Sequence, residues 1–186
     1  MWFSVLVSLL LSGASAHAQP RPGAAEAMAL GAQQKELGAL LGEWDVDIVL
    51  SNGATPAQHS KGKAQYSWVV NGRWLGCHLT GTMLGLPYEQ FTILGYDSYA
   101  RNVVEVAVES ADNSMLLSRG SAAPPNQALT VLFGELDEYT TGVLHRPYKV
   151  VLNRVSPNRH VVEIVGFDDS GKEVKKLQFT FSRKDG

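Results

Sequence analysis

Cysteine is nearly absent from this chain: Cys77 stands alone in 186 residues. A single thiol excludes an intramolecular disulfide framework, and with it the paired-cysteine zinc patterns. Charge of one sign is also lacking, because 16 Lys and Arg are interspersed with 18 Asp and Glu. No basic stripe therefore offers a footprint for nucleic acid. No apolar run reaches the ~20 residues that a membrane-spanning helix needs. A Gly-x-Ser-x-Gly elbow is missing, as is any internal repeat, which weighs against a propeller or solenoid.

What is present begins with residues 1–18, which contain no Lys, Arg, Asp or Glu. Residues 2–11 are almost continuously apolar, and Ala16-His17-Ala18 offers small side chains where a signal peptidase reads. Residues 1–18 are therefore expected to be an export signal cleaved before Gln19, giving a periplasmic or secreted protein with no stable membrane anchor. Residues 19–36 read as a flexible lead-in and the start of an N-terminal helix, and residues 37–186 as one domain. Helix formers dominate residues 24–41, with Leu30, Leu37 and Leu41 on one face and Gly42 ending the helix.

After Gly42 the period changes to two. Trp44, Val46 and Ile48 alternate with polar residues, as do Ala64, Tyr66, Trp68 and Val70 ahead of the hairpin signal Asn71-Gly72. Phe91, Ile93 and Gly95 follow. Val104, Val106 and Val108 then share one face, with Glu105 and Glu109 on the other. Further β-patterned segments follow at roughly 8–12-residue spacing. The last places Leu177, Phe179 and Phe181 on one face. About ten such segments joined by short turns predict an all-β fold, an antiparallel up-and-down barrel with one N-terminal helix, because closure removes the exposed edges.

The motifs Leu41-Gly42-Glu43-Trp44, Val70-Asn71-Gly72-Arg73-Trp74-Leu75, Gly85-Leu86-Pro87-Tyr88-Glu89, Leu94-Gly95-Tyr96-Asp97 and Phe179-Thr180-Phe181-Ser182-Arg183 occur in that order. In this order and spacing the chain resembles a bacterial lipocalin-like family, domain of unknown function number 1579, over residues 37–183. The resemblance implies a calycin-type barrel and supplies no catalytic residues. Members often carry a Trp in the strand after Gly-Tyr-Asp. Residues 102–110 have none, which implies a differently shaped pocket.

Gly42-x-Trp44 is similar to the lipocalin opening motif, whose Trp seals one barrel end, and Arg73 is expected to pack across Trp44 there. Tyr66, Trp68, Phe91, Phe179 and Phe181 are expected to point inward, either as plain core or as walls of a ligand cavity. His160 shares a face with Val162 and Ile164, so it either lies inside, where it could ligate haem, or sits at the rim in water. Asp45 and Asp47 project into solvent, which discourages a glycosidase pair. His78 and His145 lack partners at metal-ligand spacing, so no metal is expected. Lys172, Lys175, Lys176, Arg183 and Lys184 read as the solvated face of the last strand. The function expected is binding of a small apolar or amphipathic molecule, entering opposite Trp44. The alternatives are an enzyme, through haem on His160 or barrel carboxylates, and a filled barrel acting through its surface.

Overall fold

The structure, a computed structural model, describes residues 23, 29–51, 56–122, 129–138, 142–168 and 170–183. The expected signal, the lead-in up to residue 22 and the start of the helix at 24–28 lie outside the described residues.

Helix α1 (Ala32–Leu37) is shorter than the composition suggests. Its start is fixed at Gly31, whose N–H donates to Gln34 Oε1 at 2.9 Å. Leu30, expected on the apolar stripe, precedes the helix and is exposed. A single 3-10 turn (Gly38–Leu40) carries on from it and buries Leu40. Gly42 then takes φ +105°, a backbone only glycine adopts cheaply.

Ten antiparallel strands follow among the described residues: β1 (Gly42–Ser51), β2 (Gln58–Val69), β3 (Trp74–Met83), β4 (Leu86–Asp97), β5 (Asn102–Glu109), β6 (Met115–Ser121), β7 (Leu129–Glu138), β8 (Val143–Ser156), β9 (Arg159–Phe167) and β10 (Glu173–Ser182). Each pairs with its sequence neighbours, and β10 returns to β1, so the sheet is a closed meander with no free edge. The Asn71-Gly72 turn has positive φ at both residues, as a tight hairpin demands. The ladders differ in length. Between β3 and β4 the register runs unbroken from Leu75↔Leu94 to Met83↔Leu86. Among the described residues the β6–β7 register is carried by Ser118↔Gly134 and Arg119↔Phe133.

Alternation puts Trp44, Val46, Ile48, Ala64, Tyr66, Phe179 and Phe181 in the buried core. In β4 and β5 the face that turns inward is the other one. Phe91 is 39% exposed and Val108 41% exposed, while Tyr88, Gln90 and Leu94 are buried. Phe91 pairs with Val108 and Ile93 with Val106, so one choice of register fixes both strands together. The expectation of an inward Phe91 is therefore corrected: its ring lies on the outer wall against Gly76, where a Cβ would come within 3.3 Å of it. Trp74 covers Gly95 in the same way. An aromatic ring laid over a bare glycine restores the packing that the missing side chain forfeits.

Candidate functional site

The two ends of the barrel are built differently. At the end where β1 starts, Trp44 is 3% exposed and donates its indole N–H to the Leu40 carbonyl at 2.8 Å. Its ring carries a guanidinium at 4.1 Å, and that guanidinium belongs to Arg183. Arg73, expected in this role, is exposed in the β2–β3 turn. Arg183 reaches back instead to the carbonyls of Ala39 (3.0 Å) and Leu41 (2.6 Å), tying the end of the chain to the helical plug. It is thus not part of a solvated lysine face. Arg154 pairs with Glu36 across the same seam at 3.3 Å. Trp68 is half-buried here, beside Gly38, so it packs against the plug.

His160 lies within this end, 2% exposed, and not at the rim. Its ring stacks on Phe181 at 4.2 Å, meets Trp44 edge-on at 4.4 Å, and places Nε2 3.2 Å from the Tyr66 hydroxyl. Burial, with Arg183 nearby, lowers its pKa to about 3, so the imidazole is neutral at ordinary pH. The adjoining cavity under the helix has about 70 Å³. Enclosed by three aromatic rings and with so little room beside it, His160 does not fit the haem ligation considered from sequence.

Midway along the axis a cavity of about 30 Å³ is lined by Tyr66, Cys77, Gln90, Thr92 and Glu105 among apolar side chains. Phe179 and Phe181 border it. Glu105 is the residue that alternation alone does not single out. Burial lifts its pKa to about 7, partly opposed by the hydrogen bond it accepts at Oε2 from Ser118 Oγ, 2.9 Å away. Cys77 is similarly pushed up to about 12 by burial, with the bond to Tyr66 working against it, so it is a thiol and no nucleophile.

Beyond Leu116 and Ile164, which line both spaces, the barrel widens into a cup of about 560 Å³ at the end opposite Trp44. Its walls carry Leu136, Val174 and Leu177, its rim Glu109, Asp112, Asp137 and Asp168, and Arg146 and Tyr148 stand between. Arg146 Nη1 donates to the Phe167 carbonyl at 3.0 Å, and Glu109 accepts the Tyr88 hydroxyl. Tyr148 is 1% exposed, and its ring lies across Gly134, where a Cβ would meet Cζ and the hydroxyl at 2.6 Å. Ser118 is near enough to influence that hydroxyl, yet no hydrogen bond of good geometry joins them, leaving the hydroxyl buried and unpartnered.

On the outer wall Asp45 and Asp47 pair with Lys63 and Lys61 in solvent, as the alternation predicts. A groove of about 500 Å³ beside them is polar and open. No group of three or more metal-ligating side chains occurs among the described residues, and no described helix is long and apolar enough to cross a membrane.

A family model described as "Protein of unknown function (DUF1579)" matches residues 30–183. No curated protein matches the chain. Among solved structures, the S-type phycobiliprotein lyase CPES from Guillardia theta is similar at TM-score 0.56 and 10% identity, over 82% of this chain and 93% of that one. At that identity the likeness is one of fold. A redesigned β-barrel (TM-score 0.38, 17% identity, 80% and 94% coverage) and a protein bound to DFHBI (0.43, 11%, 82% and 99%) align more loosely and carry no argument.

Proposed function

The chain belongs to the DUF1579 family of proteins of unknown function, and from that premise we propose that it is a binding barrel for a small apolar or amphipathic molecule. The observation that carries this is the cup: about 560 Å³, apolar-walled, with a few polar groups, opposite a plugged end. That volume lies within the ~300–1,000 Å³ common for small-molecule sites. Each 100 Å² of ligand apolar surface buried there contributes roughly 2.5 kcal/mol before ordering costs. Export through residues 1–18 belongs to the same reading, and would place the barrel where it meets molecules outside the cytoplasm.

The enzyme alternative has one foothold, Glu105, a carboxyl that titrates near neutrality. Beside it stand a serine that already donates to it and an un-ionised thiol, which form no acid–base or nucleophilic pair. The filled-barrel reading draws on the 30 Å³ mid-barrel space, room for little more than one water. That reading applies to the plugged half and not to the cup.

Native mass spectrometry of the mature protein, with titration of the neutral dye Nile red, tests the proposal. A discrete added mass, or one dye per chain with at least about tenfold weaker uptake in Leu136→Trp, is the expected result. No added mass and no dye uptake would overturn it in favour of a filled barrel.

A further inference from the structure

The cup and the inner cavity adjoin, and their chemistry is divided. Apolar side chains dominate the walls of the first. The second, about 30 Å³, is the size of one small head group and presents hydrogen-bonding groups from Tyr66, Gln90, Thr92 and Glu105. Among the described residues lining it there is no Lys, Arg or His. Glu105 is the one carboxyl there, and it has a single hydrogen bond, from Ser118. A second buried group, the Tyr148 hydroxyl, stands unpartnered where the cup narrows. The way in passes Glu109, Asp112, Asp137 and Asp168, against one arginine whose guanidinium is turned to the Phe167 carbonyl.

Resting on the binding reading above, we infer that the ligand is an amphipathic amine, its ammonium seated against Glu105 in the inner cavity and its apolar chain in the cup. A buried carboxylate is costly unless it is paired, and an ammonium that donates to it supplies both the opposite charge and the hydrogen bonds. Its remaining hydrogens have acceptors in Gln90 and Thr92. The acidic rim attracts the same sign of charge on approach. A ligand ending in a carboxylate meets like charge at the rim, and at Glu105 as well once that carboxyl is ionised. An alcohol gains one hydrogen bond and no charge pairing.

Calorimetric titration of the full protein with decylamine, 1-decanol and decanoate, at one pH and below their micelle concentrations, tests this. Decylamine is expected to bind at least about tenfold more tightly than decanol, with decanoate weakest. Glu105→Gln, nearly isosteric, is expected to bring amine and alcohol within about twofold by weakening the amine alone. Equal affinity for amine and alcohol in the unmutated protein, or an amine preference that survives in Glu105→Gln, overturns the inference and leaves the binding reading standing. No binding of any of the three overturns the binding reading, and the inference with it. The ranking on the unmutated protein decides the matter even if the variant does not fold.

Discussion

The two halves of this barrel answer the same problem in opposite ways. A ten-stranded cylinder is too wide for its own side chains to fill without help. Near β1's start the help is abundant: a helical turn, Trp44, Phe181, a neutral histidine and an arginine from the far end of the chain occupy the axis. Toward the other end, Leu116, Leu136 and Leu177 line the wall and leave the axis empty, and the polar groups there are carboxylates, hydroxyls and the Arg146 guanidinium. Stability is thus concentrated at one end and vacancy at the other. Each half keeps a buried polar atom without a partner, His160 Nδ1 in the first and the Tyr148 hydroxyl in the second, so the difference lies in how each treats its charged groups. The plugged half ties the Trp44 indole and the Arg183 guanidinium to carbonyls of the plug. The open half leaves Glu105 with no cation among the described residues that line its cavity.

Truncation is the harshest way to break the comparison. Trp44→Ala is expected to cost about 3–5 kcal/mol by removing a fully buried ring and stranding Arg183. Leu136→Ala, on the half-buried cup wall, should cost much less. Denaturant midpoints on the two variants measure both, and equal losses would dissolve the distinction.

Proton linkage sharpens it. Glu105 keeps its proton to about pH 7 in the folded chain, against 4.5 for an ordinary carboxyl. Between those values the folded state binds more protons than the unfolded one, so stability falls as pH rises, by on the order of 3 kcal/mol. His160 stays unprotonated down to about pH 3, against 6.5 ordinarily, so its contribution is lost as pH falls through that window. The slopes oppose each other between pH 4.5 and 6.5. Glu105→Gln should leave stability climbing with pH from 3 to 6.5, and His160→Phe should leave it declining from 4.5 to 7. Thermal midpoints across that range would show both, and a Glu105→Gln curve that parallels the parent would contradict the assignment.

The smallest expected effect belongs to the boundary between the halves. In Gly134→Ala the new methyl would come within 2.3 Å of the Leu117 carbonyl oxygen and 2.6 Å of the Tyr148 hydroxyl. A loss of about 1–3 kcal/mol is expected, together with weaker dye uptake as Tyr148 is displaced. An unchanged midpoint would mean that the ring is not held where it lies.

Strand positions are legible in the sequence because turn chemistry is local. Asn71-Gly72 marks its hairpin without reference to anything distant, and Trp44 follows from strict alternation in β1. Parity in β4 and β5 is not legible by the same means. Phe91 and Ile93 compete with Tyr88 and Leu94 for the inner face, and Val104 with Val103. Both faces carry apolar residues, so hydrophobicity does not choose between them. The hairpin at Asp97↔Asn102 couples the two strands, and a misjudged face in one carries Glu105 to the wrong side in the other. The exchange of Arg73 for Arg183 has a different cause. The Trp44–Arg183 contact joins opposite ends of the sequence, and barrel closure alone brings them together.

The β6–β7 ladder has a mechanical consequence. A closed cylinder shares load around its circumference like a hoop, and a hoop yields at its thinnest link. With that ladder carried by the pairs at Ser118 and Arg119 among the described residues, the thin link runs directly beside Glu105. Thermal breathing concentrated there would part the wall sideways and give the Glu105 carboxyl a transient lateral route to solvent.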